Sequence, residues 1–236
     1  MTKTDRRTGG QADRKLLKSK SPPAVPGGFT ASGPRSDRPA GRLSDDVEFV
    51  GTFPDPLFRL EPPMPEVGFV GRSNVGKSSL INALLAKPGI ARVSATPGKT
   101  RALNVFRLPE FYLVDLPGYG YAKADKSTRA EIHAILDRFI LERPTVAGIV
   151  WLLDIRRDPS QDDERIAQHL GSRGHPVLAV LTKSDKLTHS AQLTRARVIG
   201  RMLGLEHDQV QMTSSTTGLG IADLVKSVTG LVRSRK

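Results

Sequence analysis

Between the apolar run Val67-Gly68-Phe69-Val70 and a segment with Leu80, Ile81, Leu84 and Leu85 at helical spacing lies Gly71-Arg72-Ser73-Asn74-Val75-Gly76-Lys77-Ser78. The spacing Gly-x4-Gly-Lys-Ser, after a strand and at the opening of a helix, is that of a phosphate-binding loop. Gly71 and Gly76 let the backbone curl so that N–H groups across Arg72, Ser73, Asn74 and Val75 face phosphate oxygens, and the helix adds its positive end. Lys77 is placed to neutralise the β- and γ-phosphates, and the Ser78 hydroxyl to ligate Mg²⁺. A strand, a glycine-rich turn and a helix in that order commit the chain to an α/β fold.

The rest of the chain repeats that alternation. Ala102 to Leu108 and Phe111 to Asp115 read as two strands joined at Pro109-Glu110, a hairpin. Thr128-Arg129-Ala130-Glu131 has the capping-box spacing, and Ile132, Ile135, Leu136, Phe139 and Ile140 follow with helical period. Val146 to Asp154 is an apolar strand, and Ser160 opens a helix with Ile166, Ala167 and Leu170. Pro176 to Thr182 is a strand, Leu193 to Leu203 a helix, Val210 to Ser214 the last strand, and Ile221, Leu224, Val225, Val228 and Leu231 mark the final amphipathic helix. Continuous apolar strands separated by helices predict a mostly parallel six-stranded sheet covered on both faces. Ligands of such sheets bind at the carboxyl ends of the strands, where every motif here falls.

The expected organisation is a disordered basic tail over residues 1–44, a lead-in arm or edge strand over 45–65, and a nucleotide-binding domain over 66–234. Up to Ser44 there are ten basic residues against Asp5, Asp13 and Asp37, so the tail carries +7 of the net +12. Such a segment buries too little apolar surface to offset its ordering entropy. It reads either as a solvated tail or as one that touches RNA. The chain has no cysteine, which excludes disulfides and thiolate chemistry and fits a reducing cytoplasm. No apolar run reaches the length of a membrane span, and the basic N-terminus lacks the apolar core of a secretory signal. A monomer is favoured over an oligomer.

Asp115-Leu116-Pro117-Gly118 ends the second hairpin strand. Asp115 can hold Mg²⁺ through water, and the Gly118 N–H can meet the γ-phosphate. Thr182-Lys183-Ser184-Asp185 closes another strand. Asp185 can accept from guanine N1–H and the 2-amino group, which adenine cannot offer, and the Lys183 stem can lie along the base. Thr182 stands where Asn is common. Thr213-Ser214-Ser215 supplies small residues whose N–H groups could meet the guanine O6. Thr100, in Thr96-Pro97-Gly98-Lys99-Thr100-Arg101, could ligate Mg²⁺ only while a γ-phosphate is present, which is the basis of a switch. Lys77, Thr100 and Gly118 are thus the residues expected to act on the γ-phosphate. Where a glutamine orients the attacking water in Ras-like enzymes the chain has Tyr119, so intrinsic hydrolysis is expected to be slow.

This order of motifs resembles the Era-related P-loop GTPases, and among them the EngB (YihA) family. The residues that carry it are Gly71 to Ser79, Thr96 to Arg101 with Asn104 and Phe106, Asp115 to Ala122 (DLPGYGYA), Asp154 with Arg156, Thr182 to Asp185, and Ser214-Ser215. It covers roughly Asp55 to the C-terminus, and Thr182 is itself usual in that family. The resemblance implies a Ras-like P-loop GTPase domain that binds GTP or GDP with Mg²⁺, the segment Gly98-Lys99-Thr100-Arg101-Ala102 joining the nucleotide site. It implies a cytoplasmic role in maturing the large ribosomal subunit, with precursor particle or rRNA as partner, and a connection to cell division and septation. Some relatives hold K⁺ through the asparagine equivalent to Asn74. Here Asn74 either does so or hydrogen-bonds across its loop.

Overall fold

The computed structural model describes residues 41–91, 102–121 and 124–234. Its elements run β1 (Glu48–Phe53), β2 (Glu66–Gly71), α1 (Lys77–Leu85), β3 (Leu103–Arg107), β4 (Tyr112–Asp115), α2 (Lys126–Glu142), β5 (Val146–Asp154), α3 (Gln161–Arg173), β6 (Val177–Thr182), α4 (His189–Leu203), β7 (Val210–Met212) and α5 (Ile221–Arg233). The strands form one sheet in the order β1-β3-β4-β2-β5-β6-β7. The pairs β1–β3 and β3–β4 are antiparallel, and β4–β2–β5–β6–β7 is parallel throughout. The α/β class expected from the alternation is the fold observed.

The sheet has seven strands where six were expected. Glu48–Phe53 supplies the extra one by pairing along β3, with its register broken between Phe49 and Gly51. Sequence pattern alone did not decide between a strand and an arm there, because Phe49, Val50 and Thr52 are exposed and show no clean alternation.

Every residue of β2 and β6 is buried, and so is all of β5 up to Leu153, because helices cover both faces. Phe139 and Leu136 of α2, Ile166 and Leu170 of α3, and Ile199 and Leu203 of α4 pack on one face. Leu80, Ile81 and Leu84 of α1 and Leu224, Val228 and Leu231 of α5 pack on the other.

Helix starts show what local pattern could and could not decide. Ser160 caps α3 in a reciprocal capping box with Asp163. α2 begins earlier than the Thr128 capping box suggested. Asp125 is the cap, accepting the Thr128 N–H at 2.6 Å. A carboxylate is a stronger acceptor than a hydroxyl and is favoured by the helix dipole, so it takes the end and leaves Thr128 in the first turn. α4 starts at His189 behind Thr188. The last strand stops at Met212, because the Ser214 N–H turns to the Leu219 carbonyl.

Opposite the strand ends that matter for ligands, the segment before β2 is bolted down by a buried ion pair. The Arg143 guanidinium, 4% exposed, pairs with both oxygens of Glu66 and donates through Nη1 to the Pro56 and Phe58 carbonyls at 2.7 Å each. It stacks on the Phe58 ring at 3.9 Å, and Thr145 Oγ1 donates to Glu66 Oε1 at 2.6 Å.

Candidate nucleotide-binding site

The loop from Gly71 to Ser78 joins β2 to α1 as the spacing predicts. Gly76 is the helix cap at φ +104°, a left-handed backbone that costs glycine nothing. Asn74 adopts φ +64° and Lys183 φ +61°, both strained for side chains with a Cβ. Those two strained residues meet: Lys183 Nζ donates to the Asn74 carbonyl at 2.7 Å and pairs with Asp154 Oδ2 at 3.0 Å. The Thr182 hydroxyl donates to the Val75 carbonyl at 2.7 Å and approaches the Leu153 carbonyl at 3.2 Å. A hydroxyl is therefore enough to tie the phosphate loop to the ends of β5 and β6.

Asp154, at the end of β5, is a residue of this site that motif spacing alone does not assign a role. Burial alone would raise its carboxyl pKa, but bonds from Arg156 and Lys183 outweigh that and hold it well below the usual range. Its anionic form fixes the Lys183 ammonium against the phosphate loop. The signal that could have found it was its position at a strand end, one sheet neighbour from Thr182.

The Asp115 turn is zipped onto the same loop. The Ser73 N–H donates to the Tyr119 carbonyl at 2.8 Å, the Tyr119 N–H to the Gly71 carbonyl at 3.3 Å, and Ser73 Oγ to the Gly118 carbonyl at 3.3 Å. A Cβ on Gly118 would lie 3.2 Å from Ser73 N and Oγ, so a larger residue would have to push this contact apart by a few tenths of an ångström. Leu116 is packed in the core beside the turn. Lys77 Nζ forms an ion pair with the buried Asp115, whose other oxygen meets Asn104 Nδ2 at 3.5 Å. Ser78 follows Lys77 on α1. A hydroxyl and a carboxylate at the mouth of an amide-lined loop are hard oxygen donors that suit Mg²⁺ shared with phosphate oxygens. Among the described residues no group of three or more His, Cys, Asp or Glu could cage a metal unaided.

On the base side, Gly76, Thr182, Lys183, Asp185, Thr213 and Ser215 line one cavity of about 240 Å³. The Ser214 hydroxyl donates to Asp185 Oδ1 at 2.7 Å while accepting from the Thr216 and Thr217 N–H groups. Bonds from Ser214 and Lys186 lower the Asp185 pKa, keeping it a carboxylate. Ser184 is fully buried, its N–H on the Thr213 carbonyl, which locks the two loops together. Thr213 Oγ1 is buried without a hydrogen-bond partner. A larger cavity of about 560 Å³ lies on the other side of the phosphate loop, between Arg72, Asn74 and Tyr121 and the residues after β5.

The Asn74 side chain is exposed and forms no hydrogen bond among the described residues. Ala102 immediately precedes β3, whereas Gly98, Lys99, Thr100 and Arg101 lie outside the described residues.

Tyr119 is pinned in the core. Its hydroxyl donates to Asp163 Oδ1 at 2.6 Å and accepts from Trp151 Nε1 at 2.9 Å. Burial, then the Asp163 carboxylate, push the phenol well above its ordinary pKa, so it remains a donor. A side chain held there cannot orient a water over the phosphate loop. Replacing Tyr119 by Phe should cost about 1–2 kcal/mol in urea unfolding, through the buried Trp151 and Asp163 groups left short of a partner, with turnover little changed. Tyr119→Gln should lower stability by about 2 kcal/mol or more without speeding hydrolysis. A tenfold gain in turnover for the glutamine variant would show that this position does reach the reacting phosphate.

Over residues 66–183 the chain matches the family described as 50S ribosome-binding GTPase. It is 42% identical over 176 residues to a probable GTP-binding protein EngB of Gemmatimonas aurantiaca, covering 74% of this chain and 86% of that one. Among solved structures it resembles a probable GTP-binding protein engB at TM-score 0.62 and 22% identity, over 72% of this chain and all of that one. It also resembles Era in complex with MgGDPNP and nucleotides 1506–1542 of 16S ribosomal RNA, at TM-score 0.55 and 25% identity, over 70% of this chain and 56% of that one.

Proposed function

The chain belongs to the EngB family of GTP-binding proteins and is a GTPase, and from that premise we propose that it is a Mg²⁺-dependent switch that assists assembly of the large ribosomal subunit. Its part in cell division and septation would follow from that role. The observation that supports the nucleotide reading is the cavity lined by Gly76, Lys183, Asp185 and Thr213, in which the Asp185 carboxylate stands beside the glycine-rich loop. The ribosomal reading is supported by the 50S-binding description of the matched family.

In the proposed mechanism the start of α1 and the loop amides hold the phosphates, except those of Ser73 and Val75, which donate to the Tyr119 and Arg72 carbonyls, and Lys77 turns its ammonium to the β- and γ-oxygens. Magnesium, held by Ser78, Thr100 and through water by Asp115, would neutralise charge building between those phosphates. Gly118 offers its N–H to the γ-phosphate. Asp185, with Thr213 to Ser215, selects guanine. No residue of the Tyr119 position orients water, so intrinsic turnover is slow and the ribosomal partner governs it. The engagement of Tyr119 by Asp163 and Trp151, which leaves no water-orienting group at that position, also supports the alternative in which the nucleotide is mainly a structural ligand of an RNA-binding factor.

Sedimentation of lysate with GDP or a non-hydrolysable GTP analogue tests the reading: the protein should follow large-subunit precursors with the analogue and less so with GDP. Identical, particle-free profiles would remove the ribosomal role. In GDP and GTP titrations of the purified protein, Ser78→Ala should weaken both alike, whereas Thr100→Ala should spare GDP. Equal losses for Thr100→Ala would deny it the switch role.

A further inference from the structure

Six large apolar side chains are exposed among the described residues, and three of them, Leu193, Val198 and Met202, stand on α4 at 39%, 37% and 50% exposure. The same outward face carries Arg197 and Arg201, one turn apart. Neither has an ion-pair partner among the described residues, and α4 contains no Asp or Glu. Arg195, by contrast, is spent within the fold, on the Ile155 carbonyl at 3.0 Å and Asp158 at 2.8 Å. The inward face is committed to the core through Ile199 and Leu203.

The face is also rigidly placed. Buried Gln192 donates to the Ser184 and Leu187 carbonyls at 2.8 and 3.0 Å, fastening α4 to the loop that carries Asp185. Whatever docks on α4 thus bears on the base-recognition loop.

We propose that the outward face of α4 is a docking surface for structured RNA, a proposal that rests on the ribosome-associated reading above. Arg197 and Arg201 present guanidinium forks whose geometry matches phosphate, with no acidic neighbour on the helix to repel the backbone. Leu193, Val198 and Met202 flank them and bury against sugars and bases. Two guanidinium groups with no carboxylate on the same helix complement a polyanion, which is what selects RNA as the occupant.

The test uses the full chain loaded with a non-hydrolysable GTP analogue and large-subunit rRNA stripped of protein, titrated across salt. The double charge reversal R197E/R201E should weaken binding at least about tenfold and flatten the dependence of log K on log salt by about two. Turnover and melting temperature should match the parent. V198S/M202S should weaken binding several-fold with the salt slope retained, showing that the apolar residues add contact rather than charge. Unchanged affinity and slope for R197E/R201E would overturn the proposal. A loss seen on intact particles but not on stripped rRNA would also overturn it, assigning the face to a ribosomal protein. If the parent binds stripped rRNA through α4 yet follows no particle in lysate, this surface stands and the ribosomal function falls.

Discussion

Replacing Asp185 by Asn lowers affinity for guanine nucleotide at least about a hundredfold and shifts preference toward xanthine nucleotide, as a titration with labelled GDP and XDP should show. The carboxylate offers two acceptors to the two adjacent donors of guanine, whereas an amide offers one acceptor and one donor. Xanthine, with a carbonyl in place of the 2-amino group, suits the amide. The site around Asp185 sharpens the effect. Ser214 Oγ fixes Oδ1 at 2.7 Å and Lys186 meets Oδ2 at 2.9 Å, so the carboxylate is already oriented before the base arrives. The variant keeps the Ser214 bond only by turning its amide nitrogen toward the Lys186 ammonium. Equal GDP affinity in parent and variant would mean that the base is read elsewhere.

Removing the Arg143 guanidinium is expected to cost about 3–5 kcal/mol of stability, the largest effect foreseen for any change outside the nucleotide site. The reason is what it leaves behind. Glu66 would remain a buried carboxylate with only Thr145 Oγ1 and no cation, and the Pro56 and Phe58 carbonyls would lose their donor. For a domain of this size that corresponds to a fall in melting temperature of roughly 10 °C. Arg143→Met combined with Glu66→Gln should recover much of the loss, because the unpaired charge goes with its partner. A single Arg143→Met variant within about 1 kcal/mol of the parent in urea unfolding would show that the pair does not hold the lead-in segment.

The candidate site is legible in the sequence where its residues act locally. The glycine spacing of the phosphate loop, the Asp115 turn and the Thr182 to Asp185 run each sit at a strand end, and periodicity located those ends. The rest depends on partners distant in the chain. Thr182 looked like a departure from the usual Asn, and its reason appears only when its hydroxyl is seen on Val75, 107 residues away. Arg143 and Glu66 are 77 residues apart, and nothing near either one announces the other. Tyr119 lacks the paired donor and acceptor of a glutamine amide, and that much is plain from residue type. That it points into the core onto Asp163 could not be read from a loop sequence. The seventh strand was ambiguous for a different reason: an exposed edge strand with a register shift has no hydrophobic alternation to betray it.

Those distant partners have a consequence for synthesis. β2, which carries the phosphate loop on its end, pairs with β4 and with β5, and the loop's own carbonyls are held by Thr182 and Lys183. Asp185 in turn is oriented by Ser214. While a nascent chain still has β6 inside the exit tunnel, its phosphate loop lacks both of these ties, and until Ser214 emerges the Asp185 carboxylate lacks its orienting hydroxyl. The ties of the phosphate loop are thus complete only once Lys183 has emerged, and the setting of Asp185 only once Ser214 has, although the loop sequence itself is made far earlier.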